Sequence, residues 1–445
     1  MRMAQIRIWF GLAVVGLLVC LGANFANAQG EFPLKDGDTW IMVGDSITAQ
    51  RLHTNYIEAF CYARFPNLTF CFRNSGVGGD TIPKVLARFN YDVAAWNPSV
   101  VSVELGMNDK GGFSTEKFME NMGTLLGRIR EIKARPVLLS PSPVNNGSST
   151  AKLDGGNAKL QEYAAALKTL SEKEKIPYAN QFGLLVDFWA ANKPNETLSN
   201  TLGSMKGMLA AQPNMDGADH LKAFLEVWAK KDKQPVTMMG DAVHPGATGQ
   251  LTMAAALLSE LKAPGLVSTA TIDASAGTAG EAVQCKIENV KMDGDKLSFD
   301  RLDNSLPFPV PNDARAVLAI TDGVEKLSQY MLTVNGLKAA RYDVSIDGVN
   351  VATVAAADLA KGWNMGLLEK GPIADQCRSI LQLVGSKEGI VSSWRNVSKA
   401  VQGGDAGQKE QLEKLTQQTK DADAKIRAAA KPKQHRFELS AAAAK

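Results

Sequence analysis

Ser46, Asn108, Asp241 and His244 are the side chains in this sequence best suited to chemistry. Ser46 follows Gly44-Asp45, where the apolar run Trp40-Ile41-Met42-Val43 stops abruptly and helical sequence begins. Such a junction exposes a hydroxyl at the carboxyl end of a strand and points unpaired backbone N–H groups at any negative charge formed there. Far downstream, Gly240-Asp241-Ala242-Val243-His244-Pro245-Gly246 places an Asp and a His three residues apart. Between them, Leu105-Gly106-Met107-Asn108-Asp109 ends a second strand-like run. This combination predicts a hydrolase.

A serine hydroxyl is unreactive at neutral pH unless a base removes its proton during attack. Histidine suits that task, and Asp241 is spaced to hold its other ring nitrogen. Pro245 biases His244 away from helical backbone, so the imidazole belongs on a loop above the sheet. His53 falls two turns beyond Ser46, and His220 and His435 lack an acidic turn nearby; all three read as structural or surface residues. Gly79, in Asn74-Ser75-Gly76-Val77-Gly78-Gly79-Asp80-Thr81, offers a backbone N–H just before a helix. With the Asn108 amide and the Ser46 N–H it completes a set of oxyanion donors. Singly, Gly76–Gly79 also fits a tight turn and Asn108 a helix cap; as a set they favour the site. Asp45 and Asp109 read as supporting or turn-forming residues, and Glu104 is an unusual carboxylate for a buried strand.

The elements that must carry these residues alternate. Residues 39–43, 69–73, 100–105, 136–140 and 176–179 have strand character, and residues 55–64, 82–89, 115–134, 151–173 and 248–261 have helical spacing. Strands alternating with helices predict an α/β domain with a parallel sheet covered on both faces. Ligands in such sheets bind beyond the carboxyl ends of the strands, where the Ser46 and Asn108 segments lie. Residues 184–236 form an insertion, read as peripheral helical packing with a lid as the alternative. Beyond Pro264, turns at Asp293-Gly294, Asn335-Gly336 and Asp347-Gly348 predict a small antiparallel β module. Residues 373–401 and 403–431 read as helices, the second solvated, and residues 440–445 as a frayed end. The expected organisation is a leader over 1–28, a hydrolase domain over 36–265, a β-rich module over 270–371 and a helical extension over 372–445.

A chain of 445 residues is long enough for two or three units. A net charge of +3, with no basic stripe interleaved with aromatics, is too small to argue for nucleic acid, and no such partner is expected. Arg2 and Arg7, the apolar run 8–21 and Ala26-Asn27-Ala28 form a secretory signal pattern, too short for a membrane span. Cleavage near Gln29 would leave an exported chain, periplasmic or extracellular, with no stable membrane span; an uncleaved anchor is the alternative. Cys61, Cys71, Cys285 and Cys377 then form an even set, expected to pair as Cys61–Cys71 and Cys285–Cys377, with four free thiols as the alternative. No Cys/His spacing suggests a metal site, and no cofactor is expected.

The segments around Ser46, Gly79, Asn108 and Asp241/His244 resemble the SGNH (GDSL) hydrolase family, in the family's order and over about residues 36–265. The resemblance implies a three-layer, flavodoxin-like fold and metal-free ester hydrolysis through an acyl-enzyme. It implies Ser46 as nucleophile and oxyanion donor, Gly79 and Asn108 as further donors, and His244 as base backed by Asp241. Among secreted relatives the carbohydrate deacetylases are the better match, which makes a small-molecule or polysaccharide ester the expected substrate. A lipase, lysophospholipase or thioesterase is the alternative within the fold, and a non-catalytic surface-binding protein the alternative outside it.

Overall fold

The computed structural model describes residues 32–443 except residue 232; the expected leader and Cys20 lie outside the described residues. Five parallel strands, β1 (Thr39–Gly44), β2 (Cys71–Gly76), β3 (Val100–Glu104), β4 (Arg135–Leu139) and β5 (Tyr178–Ala179), form one sheet in the order β2-β1-β3-β4-β5. Side chains alternate across it: Trp40 and Met42 enter one core, Ile41 and Val43 the other. That period of two requires helices on both faces. The intervening helices are α1 (Ser46–Ala49), α2 (Leu52–Arg64), α3 (Ile82–Asp92), α4 (Thr115–Glu131), α5 (Gly155–Glu174), α6 (Gln181–Ala211), α7 (Ala218–Ala229) and α8 (Ala247–Glu260). Helices α3, α4 and α5 bury one face of the sheet, and α2 and α8 the other, giving the expected three layers. The strand order reverses between β1 and β3, and a crevice opens there at their carboxyl ends.

The following strands are β6 (Leu266–Asp273), β7 (Thr278–Val283), β8 (Cys285–Asp293) and β9 (Lys296–Asp303). After the short helix α9 (Gly323–Lys326) come β10 (Gln329–Asn335), β11 (Arg341–Ile346) and β12 (Val349–Ala355), then α10 (Ala356–Lys361) and β13 (Trp363–Asn364). These strands build two sheets, β13-β10-β6-β7 and β12-β11-β14-β9-β8, with their own shared core; β14 is the last strand of the chain, Gln434–Ala441. The turns at Asp293-Gly294 and Asp347-Gly348 are hairpins joining β8 to β9 and β11 to β12. Asn335-Gly336 is not: β10 runs parallel to β6, and the chain crosses there to the other sheet. Nor does the end of the chain fray before residue 441, because Phe437 and Leu439 alternate into the module's core between β9 and β11.

Between β13 and β14 lie two long helices, α11 (Pro372–Gln402) and α12 (Lys409–Ala429). They pack on the α/β domain, adding Cys377, Ile380, Val384 and Ile426 to the core that α2 and α8 share. The expectation of a solvated second helix fails for one face of α12, where Leu415, Thr419, Asp423 and Ile426 are buried. The disulfide expectation is also corrected: all four cysteines are free. Cys71 faces Thr39 on the neighbouring strand, whereas Cys61 is buried within α2; Cys285 and Cys377 meet the separate carbonyls of Thr269 and Pro307. Each thiol is thus directed into different packing, and burial holds the Cys377 thiol up at about 12.

Candidate active site

Ser46 opens α1 directly beyond β1. Asp45 caps that helix, its Oδ1 accepting the Ile47 N–H at 3.0 Å. The Ser46 Oγ lies 2.7 Å from His244 Nε2, and His244 Nδ1 lies 2.8 Å from Asp241 Oδ2. The sequence-predicted Ser, His and Asp therefore form one continuous hydrogen-bonded chain, although 198 residues separate the first two. Local geometry explains how three residues of spacing suffice. Asp241 Oδ1 accepts both the Val243 and the His244 N–H, at 2.7 and 2.8 Å, while the Gly240 N–H donates to the His244 carbonyl at 2.8 Å. The loop is closed on itself, and the imidazole projects towards Ser46.

Asp241 is largely exposed, its side chain 62% accessible, against 32% for His244. What desolvation it has works upward on the carboxyl, but the His244 backbone and side-chain bonds and the Val243 N–H outweigh it and hold the group below the usual carboxylate range. It is anionic at neutral pH and pairs with the Nδ1–H of the imidazole, leaving Nε2 unprotonated to accept from Ser46.

The expected oxyanion donors converge on the same crevice. Gly79 occupies the left-handed region at φ +73°, in the loop after β2. Among the described residues no protein acceptor meets its N–H or that of Ser46. Asn108 follows β3, and its Nδ2 donates to the Asp80 carbonyl at 2.9 Å and lies 3.5 Å from Asp45 Oδ2, beside Ser46. Asp109 is buried, and its Oδ1 takes the Ile82 N–H at 3.0 Å, which fixes the start of α3 just beyond the Gly79 loop.

Asp45 is the most perturbed carboxyl of the group. Burial first, then the nearby Glu104 charge, push it up to about 7. A carboxyl with a native pKa above its unfolded 3.8 binds its proton more tightly when folded, so it costs stability as pH rises through that interval. Asp45→Asn removes the cost. The variant's gain in Tm over the wild type should grow from about pH 4 to about pH 7 and level off above, as read by thermal melts across that range. A pH-independent difference would rule out a buried, protonatable Asp45.

Two features were not legible as part of the site. Glu104 has a partner set: Oε1 accepts from Gln181 Nε2 at 2.8 Å, and Oε2 lies 3.2 Å from His53 Nε2. His53 Nδ1 in turn donates to Gln250 Oε1 at 2.7 Å, an oxygen that can only accept. Because Gln250 is on α8, directly after the His244 loop, this buried brace ties that loop to α2 and β3. The insertion packs with a purpose as well. On α6, the Asn192 amide donates to the Val236 carbonyl at 2.9 Å and Glu196 accepts the Met238 N–H, steadying the segment that leads to Asp241.

Residues 42–251 match the model of the GDSL-like lipase/acylhydrolase family. The chain belongs to that family. This GDSL-type acylhydrolase is a carboxylic ester hydrolase, and its matched region begins in β1 and ends in α8, spanning every residue of the site. It is similar to an acetylxylan esterase from Geobacillus stearothermophilus, with 24% identity over 243 residues, 51% of this chain and 94% of the relative. In fold it is similar to a gut microbial diltiazem-metabolizing enzyme, with a TM-score of 0.72 at 21% identity, covering 93% of this chain and 100% of the other. That likeness extends over the β module and the helical pair, so the whole architecture is a shared one.

Proposed function

We propose that this GDSL-type hydrolase is an exported serine esterase that removes short acyl groups, acetyl above all, from carbohydrate. The observation that carries the mechanism is the unbroken chain Ser46–His244–Asp241 at the mouth of the crevice. Ser46 Oγ attacks the ester carbonyl carbon while His244 Nε2 takes its proton. The carbonyl oxygen, now negative, is met by the Ser46 and Gly79 N–H groups and the Asn108 side-chain amide, which exchanges its long contact with Asp45 for the oxyanion. Collapse breaks the ester bond, the alcohol leaves with the proton from His244, and Ser46 carries the acyl group. Water then attacks the acyl-enzyme by the same route in reverse roles. No step calls for a metal, and activity is expected to survive chelation.

The open surroundings of His244 and Asp241 support a bulky alcohol, such as a sugar chain, approaching from solvent, and the similarity to an acetylxylan esterase supports acetyl as the acyl group. A second reading has its own observation: Phe224 and Val227, three residues apart on α7, are exposed, apolar side chains suited to lipid acyl chains. Acetylated xylooligosaccharides and p-nitrophenyl esters of rising chain length decide between them. Highest kcat/KM on acetyl esters supports deacetylation, and a monotonic rise with chain length supports the lipase class. Labelling by a serine-directed phosphonate separates either from a non-catalytic binding protein. Export is tested by the intact mass of the mature protein, expected to begin near residue 29.

Asn108→Ala should lower kcat by about 10²–10³ with KM little changed, because the donor meets the transition state more strongly than the ground-state carbonyl. Steady-state kinetics on p-nitrophenyl acetate checks this. A change confined to KM would make Asn108 a substrate-binding residue.

A further inference from the structure

β2 is an edge strand of the parallel sheet, so the backbone groups of alternate residues face away from β1 with no sixth strand to meet them. The outward carbonyls are those of Phe70, just before the strand, and of Phe72, Asn74 and Gly76. Each is met by a cation from the helical pair. Arg427 donates to the Phe70 carbonyl at 3.1 Å, and the buried Lys387 donates to that of Phe72 at 3.0 Å. Arg395 donates to the Asn74 carbonyl at 2.7 Å and to the Gly76 carbonyl at 3.2 Å. Carboxylates balance these charges: Glu58 and Asp423 beside Lys387, and Asp92 beside Arg395. The helical pair therefore completes the sheet with side chains where a strand would have used its backbone.

The grip of Arg395 falls at the catalytic end of that strand. Gly76 is its last residue, three before Gly79, and it lies so close to α1 that a Cβ there would be 2.4 Å from the Ala49 nitrogen. Holding the Gly76 carbonyl thus fixes the Gly79 loop against the helix that begins with Ser46. A second path runs through charge. Arg395 Nε bonds Asp92 Oδ1 at 2.7 Å, Asp92 also pairs with Arg88, and Arg88 Nε bonds Asp80 Oδ2 at 2.7 Å. The carbonyl of that same Asp80 orients the Asn108 amide.

We propose that Arg395, from α11 of the C-terminal extension, is a positioning residue for the oxyanion donors, holding Gly79 and Asn108 in register with Ser46. The assignment rests on the proposed roles of Gly79 and Asn108. Both paths end on those donors, and neither makes a hydrogen bond to the Ser46, His244 or Asp241 side chain, so Arg395 acts on stabilisation of the transition state and leaves the nucleophile and base in place.

The test is a double-mutant cycle in the full chain with p-nitrophenyl acetate. Arg395→Ala should lower kcat by roughly tenfold to a hundredfold, with KM changed by no more than about twofold. In an Asn108→Ala background the same change should cost less, because one of the two donors that Arg395 orients is already absent. Arg395→Lys keeps a cation beside Asp92 but cannot span both carbonyls, so it should fold normally and lose several-fold in kcat; it carries the test if the alanine variant does not fold. Arg427→Ala, at the far end of the strand, should lower Tm while leaving kcat unchanged. Unchanged kcat in both Arg395 variants, a loss fully additive with Asn108→Ala, or an equal kcat loss in Arg427→Ala would overturn the proposal. If instead Asn108→Ala alone leaves kcat unchanged, the oxyanion assignment is what fails.

Discussion

Replacing Ser46 with alanine is expected to reduce ester hydrolysis by about 10⁶, to the level supported by the remaining donors and binding alone. The change removes one oxygen, half-exposed at the start of a short helix, whose hydrogen bond in the protein is the one to His244. The backbone N–H that meets the oxyanion is retained, and so is the Asp45 cap on Ile47. Folding should therefore be unaffected, with a Tm close to that of the wild type. Turnover of p-nitrophenyl acetate measures the loss, and mass spectrometry after phosphonate treatment locates the nucleophile. Turnover near the wild-type rate, or a phosphonate adduct on another serine, would remove Ser46 from the role.

Asp241→Asn should cost about 10³–10⁴ in kcat, and more than Asp241→Ala. The ordering follows from the loop. Asp241 Oδ1 accepts two backbone N–H groups, from Val243 and His244, so an asparagine must place its oxygen there. Its Nδ2 then occupies the Oδ2 position, 2.8 Å from His244 Nδ1, and donates to it. That forces the proton onto Nε2, which can no longer accept from Ser46. Alanine leaves Nδ1 open to water, which accepts as readily as it donates, and the exposure of Asp241 gives water access. Kinetics of the two variants on one substrate checks the ordering. Equal losses would mean that the carboxylate acts through its charge, and full activity in both would remove Asp241 from the mechanism.

Much of this site is legible along the chain because each piece is local. Gly-Asp-Ser after an apolar run, a glycine-rich turn before a helix, Asn after a second run, and Asp-x-x-His-Pro each fix a backbone shape within a few residues. Hydrophobic periodicity of two and of 3.6 then orders the strands and helices that bring those shapes to one edge. The same logic reaches the hairpins at Asp293-Gly294 and Asp347-Gly348, where the turn residues set the outcome.

What escaped is nonlocal. At Asn335-Gly336 the turn residues match those of a hairpin, but partner choice depends on β6, more than 50 residues upstream, and so β10 runs parallel to it. Four cysteines in an even set suggested pairs, but pairing needs proximity and orientation, and each thiol is packed against a different neighbour. Glu104 in a buried strand had no account until folding brought His53 and Gln181 to it. The polar composition of α12 implied solvation, because a sequence does not show that Asp423 will meet Arg73 and Lys387 in a buried network. The sequence by itself determined the α/β class and the residues able to do acyl chemistry, since both follow from short-range sterics and the period of apolar side chains. Only the tertiary structure decided that the C-terminal helices complete the edge of the sheet, because a backbone carbonyl and the cation that meets it can lie 300 residues apart with nothing between them to mark the pair.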